Sequence, residues 1–223
     1  KPIDTTVVDV GREERAYDKM RAEMDAGRQV FVVCPLIEES DALGVQSVNE
    51  VFTHFAEDPF KGYKIAMLHG KLKTKEKDDV MRAFADGDYD MLIATTVVEV
   101  GIDVPNATVM YVEGAERFGL AQLHQLRGRV GRGEHGSYCY LHPSAMLSPL
   151  ARERLVALVD SQNGFELAEA DLRLRGPGDV FGTRQSGFEQ FKLGTYADID
   201  IISKAKDYAK EMLDTDPKLK NFP

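Results

Sequence analysis

In Gln29-Val30-Phe31-Val32-Val33-Cys34-Pro35 a glutamine opens an unbroken apolar run that proline closes. A strand with one face in water alternates apolar and polar residues, whereas a strand buried on both faces has no polar side to show; helix-covered parallel sheets are where such strands occur. Residues 29–34 therefore predict a central parallel strand. Upstream, Arg12 to Ala26 sets Tyr17, Met20 and Met24 at helical spacing, with Gly27 as the stop. Residues 1–10 read as an extended connection, with Thr5 to Val8 a short strand candidate.

Downstream the alternation continues. Val45, Val48, Val51, Phe52 and Phe55 stripe a second helix, residues 59–63 break it, and Lys64 to Leu68 is the next strand. Thr74 is the expected N-cap of a third helix with Val80, Met81 and Phe84 inward and Gly87 past its end. Asp90 to Ala94, Thr108 to Val112 and Ser137 to Leu141 supply further strands. Strand and helix in alternation predict an α/β fold, a parallel sheet with helices on both faces. Ligands of such sheets meet the loops at the strands' carboxyl ends, which here are His69-Gly70-Lys71, Thr95 to Pro105, and the Glu113 to Phe118 turn.

Past Pro143 the pattern changes. Pro149 to Val159, with Leu150, Leu155, Leu158 and Val159 inward, and Phe165 to Leu172 form a predicted helical hairpin around the turn 161–164. A Gly-rich polar loop follows, then a last helix from Ile199 to Leu213 and a tail. The chain thus divides into 1–147, the sheet with its N-terminal connecting strand, and 148–223, the hairpin, loop and C-terminal helix.

Composition narrows the function classes. A net charge of −9 argues against a generally basic nucleic-acid coat while leaving room for a local track at Arg117, Arg127, Arg129 and Arg132. No run reaches the apolar length of a membrane span and no secretory leader is evident, so a cytoplasmic protein is expected. Cys34 and Cys139 belong to no CxxC or Cys/His cluster; they read as buried thiols, and no metal site is expected.

The chemistry concentrates in Gln125-Leu126-Arg127-Gly128-Arg129-Val130-Gly131-Arg132. Guanidinium groups keep their charge and want several acceptors, and the glycines remove side chains that would hold a partner away. Arg129 and Arg132 could present two forks to one polyanion such as a triphosphate.

The string Q-x-x-G-R-x-G-R resembles motif VI of the superfamily 2 helicases. In that family its arginines reach from a second RecA-like domain toward ATP held mainly by the first. The resemblance implies that Arg132 is the arginine finger, Arg129 its companion and Gln125 a contact near the nucleotide. Ala94 to Pro105 resembles motif V, which implies Thr95 and Thr96 on the nucleic-acid side and Gly101 and Asp103 on the nucleotide side. Val32 to Pro35 and His69-Gly70 resemble motifs IV and IVa more weakly. Asp171 to Gly187, with R-G-P-G and G-T-R-Q-S-G, resembles the translocation motif of RecG-type DNA helicases, and there Arg175, Arg184 and Gln185 correspond to coupling residues.

The resemblance covers nearly the whole chain and implies the C-terminal motor half of an ATP-dependent helicase that remodels branched DNA, such as stalled forks and junctions, in recombination and repair. Gly70-Lys71 is followed by Leu72, and no G-x-x-x-x-G-K-[ST] or acidic Mg²⁺-holding segment occurs. ATP and Mg²⁺ would then be bound mainly by a first RecA-like domain outside this chain, the partners being that domain, a DNA-gripping wedge domain and the DNA itself, and this segment alone would be inactive. Localisation would be cytoplasmic and nucleoid-associated, as in bacteria. Two other readings stay open: the C-terminal motor of a transcription-repair coupling factor, and a non-catalytic RecA-like interaction domain.

Overall fold

The computed structural model describes residues 2–35, 41–95 and 104–175, with the side chains of 41–47 and 175 left aside. Six strands form one all-parallel sheet: β1 (Ile3–Val7), β2 (Gln29–Cys34), β3 (Ile65–Leu68), β4 (Met91–Thr95), β5 (Ala107–Glu113) and β6 (Ser137–His142). Their order across the sheet is β1-β6-β5-β2-β4-β3. β2 runs between β4 and β5, Val32 pairing with Ile93 on one side and Tyr111 on the other, and all six of its residues are buried. Residues 29–34 thus form the central strand that their composition predicts. β1 begins two residues earlier than expected and pairs with β6 from Ile3↔Ser137 to Val7↔Leu141, so the connection is an integral edge strand.

Alternate residues of each strand feed two cores. Helices α1 (Glu14–Asp25) and α2 (Asp41–Glu57) cover one face, where Met20, Met24, Val48 and Phe55 meet Val30, Val32, Ile93 and Tyr111. α3 (Thr74–Ala85), α4 (Leu120–Arg127) and α5 (Pro149–Asp160) cover the other, where Met81, Phe84, Leu123, Leu126, Leu155 and Leu158 meet Phe31, Val33, Leu92, Val112 and Leu141. Cys34 and Cys139 are both free and buried, one in each core, and burial pushes both thiols up. No helix among the described residues is long and apolar enough to cross a membrane.

Three local expectations shift. Lys73, not Thr74, is the N-cap of α3: Glu76 accepts the Lys73 N–H at 2.8 Å, the backbone half of a capping box that needs no particular side chain at the cap. Leu150 is 52% exposed. Residues three and four apart share a helix face, so the inward position one turn before Leu155 is Ala151, and Leu150 falls outside. The hairpin's second helix, α6, runs longer than predicted, from Gly164 to Arg175. Lys1–Ala168 form one compact unit, with α5 lying along β1 and α4, and Glu169–Pro223 a second. The Gly-rich loop, the last helix and the tail lie outside the described residues.

At the amino ends of the strands a buried polar network fixes the turns. Glu23, 3% exposed, receives Thr108 Oγ1 at 2.8 Å, Lys19 Nζ at 2.9 Å and Arg28 Nε. Burial alone would favour the neutral acid, but these three donors outweigh it and hold the carboxyl down to about 2. Replacing Glu23 with Ala leaves Arg28 and Lys19 without their acceptor; it should cost about 3 kcal/mol in denaturant unfolding at neutral pH. Because the folded-state value lies below the ordinary 4.5, the Glu23 contribution is complete above that pH and fades as pH falls toward about 2. An Ala variant that lost as much stability in acid as at neutral pH would refute this.

Candidate functional site

The carboxyl ends of β3, β4 and β5 deliver His69, Thr95 and Glu113 to one edge, as parallel topology requires. Thr95 is only 1% exposed, and its Oγ1 is buried without a hydrogen-bond partner among the described residues. Its hydroxyl therefore points into the protein, not across the surface. His69 Nδ1 is likewise buried and unpartnered among the described residues; burial, then Lys71 and Lys77, lower its pKa. Thr96, Gly101, Asp103, Arg184 and Gln185 lie outside the described residues, and Arg175 is seen only as the last residue of α6.

One cluster at this edge has no sequence signature. His142, ending β6, is bracketed by two carboxylates, Glu113 Oε2 at 2.9 Å from Nδ1 and Glu13 Oε1 at 3.0 Å from Nε2. Glu113 pairs with His142 in the β5–β6 register, and Glu13 precedes α1. Burial opposes charge on the ring, yet the two carboxylates prevail and raise its pKa. The His142 ring thereby ties the segment entering α1 to the end of β5. Only strand register brings these residues together, so periodicity could not reveal them.

The chain turns after β5 at Gly114, in the left-handed region at φ 60°, where a Cβ would lie 3.0 Å from Pro35 Cγ. α4 then carries it away from this edge. Leu120, Leu123 and Leu126 face the core, and Gln125 and Gly128 are exposed. The arginine segment ends at the opposite side of the sheet. A Cβ on Gly131, whose φ is 84°, would meet Ile3 Cγ1 at 3.1 Å, and one on Gly133 would fall 2.5 Å from Pro105 O. Ile3 opens β1 and Pro105 stands just before β5, so residues 131–133 lie beside the amino ends of the strands. Only the lead-in turn shares the carboxyl edge; the arginines do not.

The arginines divide. Arg127 is 2% exposed, and its guanidinium donates to Leu158 O at 2.5 Å and Ser161 O at 2.9 Å. It is removed from the expected basic track, since buried carbonyl oxygens supply its acceptors. Arg129 is half-buried and Arg132 exposed, with Arg132 Nε donating to Gly128 O at 3.2 Å. A Cβ on Gly128 would make only ordinary contacts, so nothing inside the protein demands glycine there. At Gly131 the demand is internal, from its backbone angle and from Ile3. Gln125, Gly128, Arg129 and Arg132 follow one another along the outer side of the segment, a donor-rich strip suited to phosphate oxygens. Among the described residues no His/Cys/Asp/Glu group could hold a metal ion.

Residues 14–134 match the helicase conserved C-terminal domain family, and residues 161–222 match ATP-dependent DNA helicase RecG, domain 3, C-terminal. The chain belongs to the helicase C-terminal domain family, in its RecG branch. It is 45% identical to the RecG helicase of Synechocystis sp. over 100% of its own length and 27% of that protein, and 46% identical to that of Thermotoga maritima over 95% of its length and 27% of that protein. The RecG helicase of Bacillus subtilis is 45% identical over 97% of the chain, which covers 32% of it. The chain thus spans about a quarter to a third of the RecG proteins it matches. A solved structure of RecG bound to a three-way DNA junction aligns over 92% of the chain and 25% of that protein, with a TM-score of 0.69 and 41% identity. The Mycobacterium smegmatis helicase Lhr shares the fold at 18% identity and a TM-score of 0.52, over 73% of the chain and 22% of Lhr.

In this RecG-type segment the His142 clamp predicts a pH dependence. With the folded-state value raised above the ordinary 6.5, its contribution is complete below that pH and is lost as pH rises through the folded value. His142→Gln should cost about 1.5–3 kcal/mol at pH 6, the range for hydrogen bonds to charged groups, and less at pH 9. Equal losses at both pH values would refute a charged clamp.

Proposed function

We propose that this chain is the C-terminal motor half of a RecG-type ATP-dependent DNA helicase acting on branched DNA, such as stalled forks and junctions, in recombination and repair. Residues 1–147 act as the second RecA-like domain, and residues 148–223 as the translocation element. Arg132 is the arginine finger, Arg129 its companion, and Gln125, Gly101 and Asp103 contact the nucleotide. Thr95 and Thr96 lie on the DNA side, where the backbone N–H groups of that strand end suit phosphate. Arg175, Arg184 and Gln185 couple closure to movement. ATP and Mg²⁺ sit mainly on a first RecA-like domain, with a wedge domain gripping the DNA, and the protein works in the cytoplasm at the nucleoid.

The observation that carries this reading is the abutment of Gly133 on Pro105, which leaves no room for a side chain between the arginine loop and the end of the segment that contains Gly101 and Asp103. Two loops expected to face the same nucleotide are thereby neighbours at one side of the sheet, while the Thr95 end of the second loop starts from the other. A guanidinium offered across a domain interface stabilises charge on the transferred phosphoryl group and makes hydrolysis depend on closure.

Arg132→Ala in the intact helicase should lower DNA-stimulated ATP turnover by about 10³-fold or more while nucleotide binding is retained. The 223-residue chain alone should show negligible turnover. Unchanged turnover in the Arg132 variant, measured by phosphate release, would favour a scaffold role. Fork unwinding by the intact protein, as against displacement of RNA polymerase, separates the RecG-type motor from a coupling factor.

A further inference from the structure

Arg127 stands inside the arginine segment yet is buried in the protein interior. Its two terminal nitrogens reach Leu158 O and Ser161 O, carbonyls at the C-terminal end of α5, and Nη2 also lies 3.1 Å from His124 Nδ1. The last carbonyls of a helix lack intrahelical donors and carry the negative end of its dipole, so a buried guanidinium is well matched there. Arginine only donates, which makes His124 Nδ1 the acceptor. Burial, then the neighbouring Arg127 charge, lowers the His124 pKa and keeps that nitrogen available.

Two further contacts join the same parts. Gln162, in the turn after α5, exchanges a pair of hydrogen bonds with the backbone of Ile3, accepting from its N–H at 3.3 Å and donating to its carbonyl at 3.0 Å. Ile3 is the residue that a Cβ on Gly131 would strike. Gly164, opening α6, lies against His124, where a Cβ would be 3.2 Å from Nε2. The turn 161–164 is therefore fastened to the arginine segment through Arg127, through His124 and through Ile3. From that turn α5 runs about 18 Å back to the carboxyl edge, where Arg154 donates to Phe118 O at 2.6 Å and Arg152 meets Asp9 at 3.0 Å.

We infer that Arg127 is a positioning residue that locks the arginine loop to the α5–α6 turn, so that movement of the loop toward nucleotide is delivered to the hairpin. The inference rests on the motor reading above. A planar fork that grips two carbonyls fixes both the distance and the angle between α4 and α5, which a rotatable ammonium on a flexible stem holds less rigidly. Without the fork the loop still reaches nucleotide, but the hairpin no longer follows it.

The test uses the intact helicase carrying Arg127→Lys and, separately, Gln162→Ala, an exposed change that spares the core. ATP turnover on forked DNA and base pairs unwound per ATP are measured together, with thermal unfolding as the check on folding. Arg127→Lys should keep turnover within about 3-fold and lose about 10-fold in base pairs per ATP, inside the range expected for coupling between sites. Gln162→Ala should reduce the same ratio by a smaller factor. An unchanged ratio in both folded variants overturns the inference, as does a parallel fall of turnover and unwinding in a destabilised Arg127→Lys. Arg132→Ala keeps the two readings apart. If it abolishes turnover while the Arg127 and Gln162 variants keep the normal ratio, the joint fails and the motor stands; if it leaves turnover unchanged, the motor reading itself fails.

Discussion

Parallel strands all point one way, so every connection must carry the chain back from the carboxyl ends to the amino ends before the next strand can begin. That constraint gives the molecule two working edges. β3, β4 and β5 release His69, Thr95 and Glu113 at one of them. The return through α4 delivers the arginine loop to the other, where Gly133 lies against Pro105.

The arginine segment shows how one short sequence serves both edges of the problem. Three guanidiniums within six residues would repel one another if all faced the same solvent. Burying Arg127 against α5 carbonyls removes one from the surface and satisfies it there, while Arg129 and Arg132 stay on the outer side. The glycines have different reasons: Gly131 and Gly133 permit close approach to Ile3 and Pro105, whereas Gly128 meets no internal crowding.

Charge is managed by pairing throughout the sheet's ends. Glu23 gathers Lys19, Arg28 and Thr108 at the amino ends, and His142 gathers Glu13 and Glu113 at the carboxyl ends. Each cluster joins an end of α1 to the ends of β5 or β6. A helix that packs by apolar contacts alone can slide along a sheet; partners at both of its ends fix its register. The position of α1, and with it of the chain entering the domain, follows.

The sequence by itself determined the sheet, because a six-residue run buried on both faces has no other stable setting and the helical stripes fill the intervals between strands. It also placed three guanidinium groups within six residues, each of which needs several acceptors. Only the tertiary structure decided which arginine turns inward, because that depends on the carbonyls at the end of a helix that begins some twenty residues later. The same holds for His142, whose carboxylates come from β5 and from the start of α1, and for Leu150, whose exposure depends on which turn of α5 meets the sheet. Local pattern fixes what a residue needs; which neighbour meets that need is settled when parallel strands fall into register and bring distant segments within hydrogen-bond reach.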